Sequence, residues 1–274
     1  DKGYKVRVMD ILLYGEESIK ELYNNKNFEF MRGDCRNMQD VICALDEIDA
    51  VVHLGEIVGD PACSLSPDFT IEVNFMATKT LAEACSHFGI SRFIFSSSCS
   101  VYGINDKELD ENSELNPVSL YAKCKVESEK AILSIKDDYF SPVVLRLATV
   151  YGFSYRPRFD LVINLLTARA IKEKKIKIFG GEQWRPFVSV NDVNDAIILA
   201  LKAEDKVVKR QIFNVGSNNQ NYQLFEIGAM IKKAIPETEI QLEKDIVDKR
   251  NYRVNLNKIS KLLGFRSKKS IIEE

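Results

Sequence analysis

Short β-rich runs alternate with helical patterns through the first half of the chain, and this alternation restricts the fold more than any other feature. Tyr4-Lys-Val-Arg-Val-Met-Asp10 alternates and ends on an acid, as a strand entering a loop does. Similar runs follow at Phe28 to Met31, Ala50 to Leu54, Arg92 to Ser96 and Val143 to Leu147. Between them lie helical patterns at Gln39 to Leu45, Phe69 to Phe88 and Ser119 to Ile135. This order predicts right-handed βαβ units and a parallel sheet. Ligands of such sheets sit beyond the carboxyl ends of the strands. Asp10, Gly33-Asp34, His53-Leu54-Gly55 and Ser96 to Ser98 all fall at predicted strand ends, which makes them the first candidate site residues.

After about residue 150 the rhythm changes. Helical patterns at Leu161 to Glu173, Val193 to Ala203, Leu224 to Ala234 and Asn257 to Leu263 mix with short strands at Ile176 to Phe179, Phe187 to Val190, Ile212 to Val215 and Glu239 to Leu242. The expectation is an α/β fold: a doubly wound parallel sheet over 1–150 that also receives about 187–216, and a smaller C-terminal lobe drawn mainly from 151–274. Sheets of this kind open with a strand, a glycine-rich turn and a helix that cradle a pyrophosphate on backbone N–H groups. No GxGxxG occurs here, and Asp1-Lys-Gly-Tyr reads as the end of that first helix, with Gly3 as its stop. The first βα unit is therefore expected to be missing, and such a chain to hold a dinucleotide weakly. Ser270-Ile-Ile-Glu-Glu274 has the pattern of a helix just beginning.

Composition narrows the function classes. The 274 residues carry 38 basic and 40 acidic side chains, for a net charge of −2, interspersed without a basic stripe that could bind nucleic acid. Lys172 to Lys177 and Arg266 to Lys269 read as solvated faces. No apolar run approaches the roughly 18 residues that span a bilayer, and no leader pattern opens the chain. Cys35, Cys43, Cys63, Cys85, Cys99 and Cys124 lack CxxC or framework spacing and read as reduced, mostly buried thiols of a cytoplasmic protein. Two histidines, His53 and His87, exclude a multi-histidine metal site, and His87 reads as a surface residue.

Tyr121-Ala-Lys-Cys-Lys125 places a phenol and an ammonium one turn apart on one helix face. A phenol with a pKa of about 10 is a poor base at neutral pH, and a nearby ammonium is expected to lower it by favouring the phenolate. Alone the pair is common in helices. Beside it stands Arg92-Phe-Ile-Phe-Ser-Ser-Ser-Cys-Ser-Val-Tyr-Gly103, a buried strand that delivers several hydroxyls to its carboxyl end.

With these motifs the sequence resembles the extended short-chain dehydrogenase/reductases, and within them the nucleotide-sugar epimerase/dehydratase family, whose fold is a Rossmann-type sheet with a substrate-binding lobe. The resemblance runs from Asp10 to about Phe265. It includes Gly33-Asp34, His53-Leu-Gly-Glu56, Asn74, Leu145-Arg-Leu-Ala-Thr-Val-Tyr-Gly152 and Arg185-Pro-Phe-Val-Ser-Val-Asn-Asp192. It implies NAD as cofactor and a nucleotide-diphosphate sugar as substrate. Ser98 would hydrogen-bond the reacting sugar oxygen, with Ser100 as a second contact; Tyr121 would be the general base, and Lys125 would also bind the nicotinamide ribose. Asp10 would accept the adenosine ribose hydroxyls, which favours NAD over NADP because a carboxylate repels a 2′-phosphate. Asp34 would face the adenine, and His53, Leu54, Gly55 and Ser96 would line the cofactor path. The family's usual His-Leu-Ala-Ala is here His-Leu-Gly-Glu. In the smaller lobe Thr149 and Asn164 would contact sugar and diphosphate, and Arg185 and Arg250 would hold the diphosphate, a task suited to planar, permanently charged donors. The other readings are surface ion pairs for the two arginines, a cap or packing for Asn164, a cap of the following helix for Asp192, lobe packing for Trp184, and packing for Cys99 and Cys124.

Family members share hydride abstraction and then diverge. A 4,6-dehydratase uses an Asp-Glu pair just before Val-Tyr-Gly, where this chain has Cys99-Ser100, so dehydration is disfavoured and 4-epimerisation through a transient 4-keto sugar leads. Open alternatives are a net dehydrogenase or reductase of a nucleotide sugar or other alcohol, and a non-catalytic nucleotide-binding protein. The resemblance also implies a homodimer formed through Phe69 to Phe88 and Ser119 to Ile135.

Overall fold

The computed structural model describes residues 2–243 and 248–274. Its elements are β1 (Val6–Asp10), β2 (Phe28–Arg32), α1 (Met38–Leu45), β3 (Ala50–His53), α2 (Asp60–Leu65), α3 (Pro67–Ile71), α4 (Ala77–His87), β4 (Arg92–Ser98), β5 (Ile104–Leu109), α5 (Leu120–Ser134), β6 (Ser141–Leu147) and β7 (Thr149–Tyr151). There follow α6 (Val162–Glu173), β8 (Lys175–Phe179), β9 (Trp184–Ser189), α7 (Val190–Lys202), α8 (Asp205–Val208), β10 (Gln211–Val215), β11 (Asn221–Gln223), α9 (Leu224–Ala234), β12 (Glu239–Glu243), β13 (Asn251–Val254) and α10 (Asn257–Leu263).

The central sheet is parallel throughout, in the order β10-β6-β4-β3, and β1 pairs in parallel with β2 as a separate ribbon. Period-two alternation sends the side chains of β4 to both faces. Phe93 and Phe95 join Val41, Leu81, Cys85, Ile132 and Val144 under α1, α4 and α5. Ile94 joins Val143, Leu145, Val193, Ala196, Phe213 and Ile259 under α7, α8 and α10. Helices thus cover both faces, which is why the strands read as nearly continuous apolar runs. Gln211–Val215 returns from the second half of the chain to pair with β6. A third cluster, with Ile163, Leu166, Ile176, Ile178, Phe187, Ile227 and Ile231, packs α6 and α9 against β8 and β9.

Several expectations are corrected. The helix expected over Phe69 to Phe88 is present but not uniform: α3 passes through a π-helical stretch at Glu72–Met76 directly into α4. Asn74 sits in that stretch, fully buried, and its carbonyl accepts from the hydroxyls of Thr78 (3.0 Å) and Ser128 (2.9 Å). Those donors satisfy a carbonyl where the regular helical ladder is disturbed. Asp192 does not cap α7. Ser189 does, through Asn191 N, while Asp192 accepts from Ser267 Oγ (2.6 Å) and Lys268 N (3.0 Å) and so fastens the chain's last segment. No helix forms at Ser270 to Glu274, where Glu273 instead closes a turn onto Ser270 N (2.8 Å). Residues 2–5 are irregular, with Gly3 at φ +85°, and Asp1 lies outside the described residues. All six cysteines are free; Cys43 is exposed and Cys35 half-buried, while the other four are buried.

One glycine has an identifiable duty. Gly103, ending the Val-Tyr-Gly turn, has φ +62°, and a Cβ there would lie 1.7 Å from the Asn116 carbonyl oxygen. The turn cannot admit a side chain without displacing the backbone at residue 116. Gly103→Ala is expected to cost roughly 3 kcal/mol through positive-φ strain and the forced shift. A urea titration checks this, and a variant within 1 kcal/mol of wild type, on the order of an ordinary surface change, would refute it.

Candidate active site

Strand β4 and helix α5 bring the hydroxyls and the phenol–ammonium pair to one end of the central sheet. Ser119 caps α5, its Oγ accepting from Ala122 N (3.3 Å), so Tyr121 lies in the first turn, where the helix macrodipole favours an anion. Lys125 lies one turn on and is 4% exposed. Its Nζ donates to the Ser96 carbonyl and stands 4.6 Å from the Phe95 ring centre and 5.5 Å from that of Tyr121. Ser98, half-buried, accepts from Ser100 N (3.2 Å) and starts the 3-10 turn Cys99–Tyr102. Ser100 is 2% exposed, and its hydroxyl has no hydrogen-bond partner among the described residues.

The main addition to the sequence reading is Glu56. Its carboxylate Oε2 lies 2.6 Å from Lys125 Nζ, and the two side chains are only 2% and 5% exposed. The loop that carries it is clamped by Asn74, whose Oδ1 accepts from Ile57 N and whose Nδ2 donates to Ile57 O, both at 2.8 Å. Burial pushes the Glu56 carboxyl above its ordinary range although Lys125 opposes it. Burial also works against the Lys125 ammonium, but Glu56 and Tyr121 outweigh it and hold the lysine protonated.

Lys125 does favour the Tyr121 phenolate, as expected, but burial outweighs it. Tyr121 is partly accessible, yet its pKa is raised: burial dominates, Glu56 adds to it, and the favourable fields of Lys125 and Arg158 do not compensate. The departure from His-Leu-Ala-Ala was the sequence signal for this. What it could not show was that the extra carboxylate reaches Lys125 on α5 from the loop after β3.

The remaining candidates divide by location. Asp10 is exposed at the end of β1, and its Oδ1 accepts from Leu12 N (2.6 Å). Asp34 is held by Arg36 through Nε and Nη2 (2.6 Å), which lowers its pKa, and the Arg36 guanidinium covers the Phe69 ring at 4.6 Å. Leu54 and Gly55 are exposed beyond β3, whereas the His53 ring turns inward, its Nε2 2.8 Å from Thr78 Oγ1 and its face stacked on Phe95. Burial and Lys125 depress the His53 pKa to about 3, so it stays neutral. Cys99 and Cys124 are buried with thiols pushed up by burial, and neither is a ready nucleophile.

Strand β13 pairs in parallel with β5 and carries Arg250 toward this end of the molecule. Arg250 holds Asp248 through Nε (2.9 Å) and Nη2 (2.6 Å) and lies 3.6 Å from Asp60. Arg185, 5% exposed, donates to the Trp184 and Arg250 carbonyls and stands 3.2 Å from Asp248. The arginines keep Asp248 ionised, with its pKa at about 2. Asn164 donates to the Arg158 carbonyl (3.1 Å), and Arg158 pairs with Asp160 (2.6 Å). Thr149 is half-buried in β7, and Trp184 is half-buried beneath the Arg253 guanidinium at 5.2 Å. Sequence reasoning passed over Arg158, Asp160, Asp60 and Asp248; Arg158–Asp160 and Asp248–Arg250 are local pairs, while Asp60 meets Arg250 and Asp248 meets Arg185 only through tertiary contacts. No helix among the described residues is long and apolar enough to cross a membrane.

Comparison with known proteins agrees with this arrangement. Residues 1–216 match the family described as the NAD dependent epimerase/dehydratase family. An uncharacterized UDP-glucose epimerase of Bacillus subtilis is 32% identical over 189 residues, 68% of this chain and 58% of that protein. The dTDP-D-glucose 4,6-dehydratase of Bos taurus is 30% identical over 85% of this chain and 67% of its own length. The crystal structure of UDP-glucuronic acid 4-epimerase from Bacillus cereus, in complex with UDP-glucuronic acid and NAD, superposes with a TM-score of 0.86 at 28% identity, over 99% of this chain and 88% of that one. By family match, fold and motif order together, the chain belongs to the NAD dependent epimerase/dehydratase family.

Proposed function

We propose that the chain belongs to an enzyme that inverts C4 of a nucleotide-diphosphate sugar, with NAD as a resident cofactor. The observation that carries this is the tie between Lys125, one turn from Tyr121 on α5, and the carbonyl of Ser96, two residues before Ser98 at the end of β4. The residues present fit the cofactor: Asp10 is an exposed strand-end acid suited to ribose hydroxyls, and the Lys125 ammonium has a third N–H beyond those given to Glu56 and Ser96. Asp34, Leu54, Gly55 and the main chain at His53 would flank it. NAD, when bound, supplies the acceptor and donor of hydride. Ser98 orients the C4 oxygen, Tyr121 removes its proton as the carbonyl forms, and the same phenol returns the proton after the sugar has presented its other face.

The names of relatives support the class: UDP-glucuronate 4-epimerase of Thermodesulfobacterium geofontis and UDP-glucose 4-epimerase of Lactobacillus helveticus match at 28% and 29% identity. Dehydration is the second reading. It is favoured by Glu56, a buried carboxyl beside Lys125 that can serve acid–base work although Cys99 and Ser100 cannot. Incubation with a panel of nucleotide sugars separates these readings. Inversion at C4 without net NADH is expected; a product lighter by one water assigns a dehydratase, and stoichiometric consumption of NAD assigns a dehydrogenase. A homodimer through α4 and α5 is proposed on the resemblance alone.

Arg185 and Arg250 are proposed to hold the diphosphate, which would take the place of the Asp248 carboxylate. Arg250→Ala is expected to raise KM about 10- to 100-fold with kcat nearly unchanged, since a charge-assisted hydrogen bond contributes about 1.5–3 kcal/mol. Steady-state kinetics on the accepted nucleotide sugar check this, and a fall confined to kcat would place Arg250 elsewhere.

A further inference from the structure

We propose that Glu56, acting through Lys125, takes up the proton that Tyr121 gives up when its phenolate forms, so that the base arises by a proton shift inside the site instead of by release to solvent. The proposal rests on the reading of Tyr121 as the base, and Glu56 is in this sense a positioning residue.

The geometry is a line of three groups, Glu56 and Lys125 buried and Tyr121 partly accessible, with Lys125 Nζ 5.5 Å from the Tyr121 ring centre. Glu56 Oε2 meets Lys125 Nζ at 2.6 Å, and Lys125 shares a helix face with Tyr121 one turn away. Glu56 Oε1 is buried with no hydrogen-bond partner among the described residues, so the carboxyl can hold a proton without breaking another contact. Charge decides the rest. With Tyr121 neutral, Lys125 positive and Glu56 negative, the three sum to zero. With Tyr121 as phenolate, Lys125 positive and Glu56 neutral, they again sum to zero. Releasing a proton to solvent would instead add net charge to a buried site, where an uncompensated charge is costly. In the shift the Tyr121 O–H bond breaks and the ammonium regains that proton as it hands one of its own to the Glu56 carboxylate. No electron pair leaves the three groups and no oxidation state changes.

The neighbouring groups leave Glu56 as the acceptor. Tyr121 also faces Arg158 and Cys63, Lys125 also faces His53 and Glu129, and Glu56 also faces Cys35, Cys63 and Cys124. The three thiols are each pushed up to about 11, chiefly by burial, and stay protonated. His53, depressed to about 3, does not take a proton in the neutral range. Glu129 is bound by Arg146 and Arg158 by Asp160.

Two readouts test this, the first without cofactor and the second with NAD raised until the rate no longer depends on it. The first is the tyrosinate absorbance of wild type and of Glu56→Gln, each taken as the difference from the matching protein carrying Tyr121→Phe; it needs neither NAD nor substrate. Removing the acid leaves the Lys125 ammonium uncompensated, so the Tyr121 midpoint is expected to fall by about one pH unit. The second is the pH profile of kcat/KM. Wild type is expected to be flat through the neutral range, because the shift conserves protons, whereas Glu56→Gln should rise roughly tenfold per pH unit below its Tyr121 midpoint. Glu56→Asp should restore the plateau, and its midpoint should lie between the other two; it carries the titration if Glu56→Gln does not fold. An unmoved Tyr121 midpoint in either variant, or a Glu56→Gln profile as flat as wild type, overturns the proposal. Absence of turnover on every nucleotide sugar with NAD saturating would instead overturn the proposed function, and an unmoved Tyr121 midpoint would still overturn the role of Glu56.

Discussion

Tyr121→Phe is expected to lower kcat by roughly 10³-fold, within the range seen when a positioned general base is lost, and to leave KM within a few-fold. The substitution deletes one hydroxyl and keeps the ring. Helix α5 is held by side chains elsewhere along its length, among them the buried Val126, Ser128, Glu129 and Ile132, so the fold should not respond. The effect should therefore fall on the chemical step alone. Lys125→Met should be nearly as damaging to kcat, but for a different reason: it strands the buried Glu56 carboxylate, so that stability falls as well. Steady-state kinetics with a thermal melt separate the two variants. A Tyr121→Phe protein that kept a tenth or more of wild-type kcat would remove the phenol from the proton path.

The second large effect is on stability and centres on Arg146. Its guanidinium meets Glu129 through Nη2–Oε2 (2.7 Å) and Nε–Oε1 (3.0 Å), with both side chains 3% exposed. Ser97 Oγ donates to the same carboxylate at 2.5 Å, and Arg146 Nη1 donates to the Tyr102 hydroxyl at 3.0 Å. That hydroxyl in turn lies 2.8 Å from Asn214 Oδ1 and 2.9 Å from the Asp110 carbonyl. The cluster joins β4, α5, β6 and β10. Removing one charge leaves the other buried and unpaired, so Arg146→Leu and Glu129→Leu should each cost about 3–5 kcal/mol. The double variant removes both and should cost less than either single one, because the desolvation penalty disappears with the pair. Urea denaturation of the three variants gives the coupling; a double variant whose cost equals the sum of the singles would show that the two residues act independently.

How far the sequence could be read follows from where each signal lies. Strands and helices of the sheet were legible because their patterns are local: Leu224 to Ala234 and Asn257 to Leu263 were expected with the bounds later observed, and the other expected helices within about three residues, whereas the short α2 and α8 were not expected. The short strands β5, β7, β11 and β13 were not, since three to six residues carry too little periodicity and their pairing is set by partners far along the chain. The π-helical stretch at Glu72–Met76 was hidden for a related reason: an apolar pattern tolerates a π turn, and what stabilises it is a set of hydroxyls on other turns. At the site, Tyr121, Lys125 and Ser98 stood out as motif residues. Glu56 was visible only as a departure from a familiar pattern, because its meaning depends on a contact with a residue on another element. Arg146 and Glu129 lay unnoticed within an otherwise familiar strand and helix, since buried ion pairs have no local signature.

The three serines at the end of β4 bear on which changes of length this chain can accept. Ser97 points to the α5 side and is bound to Glu129, while Ser96 and Ser98 belong to the other parity of the strand. Deleting or inserting one residue before them would do more than shift a hydroxyl along the strand. It would exchange the two parities, sending the hydroxyl required by the buried ion pair to the opposite face and the one beside the turn into the helix interface. A gain or loss of two residues would preserve the faces and alter only the reach. Insertions and deletions tolerated in this strand should therefore come in even numbers, or else fall outside it.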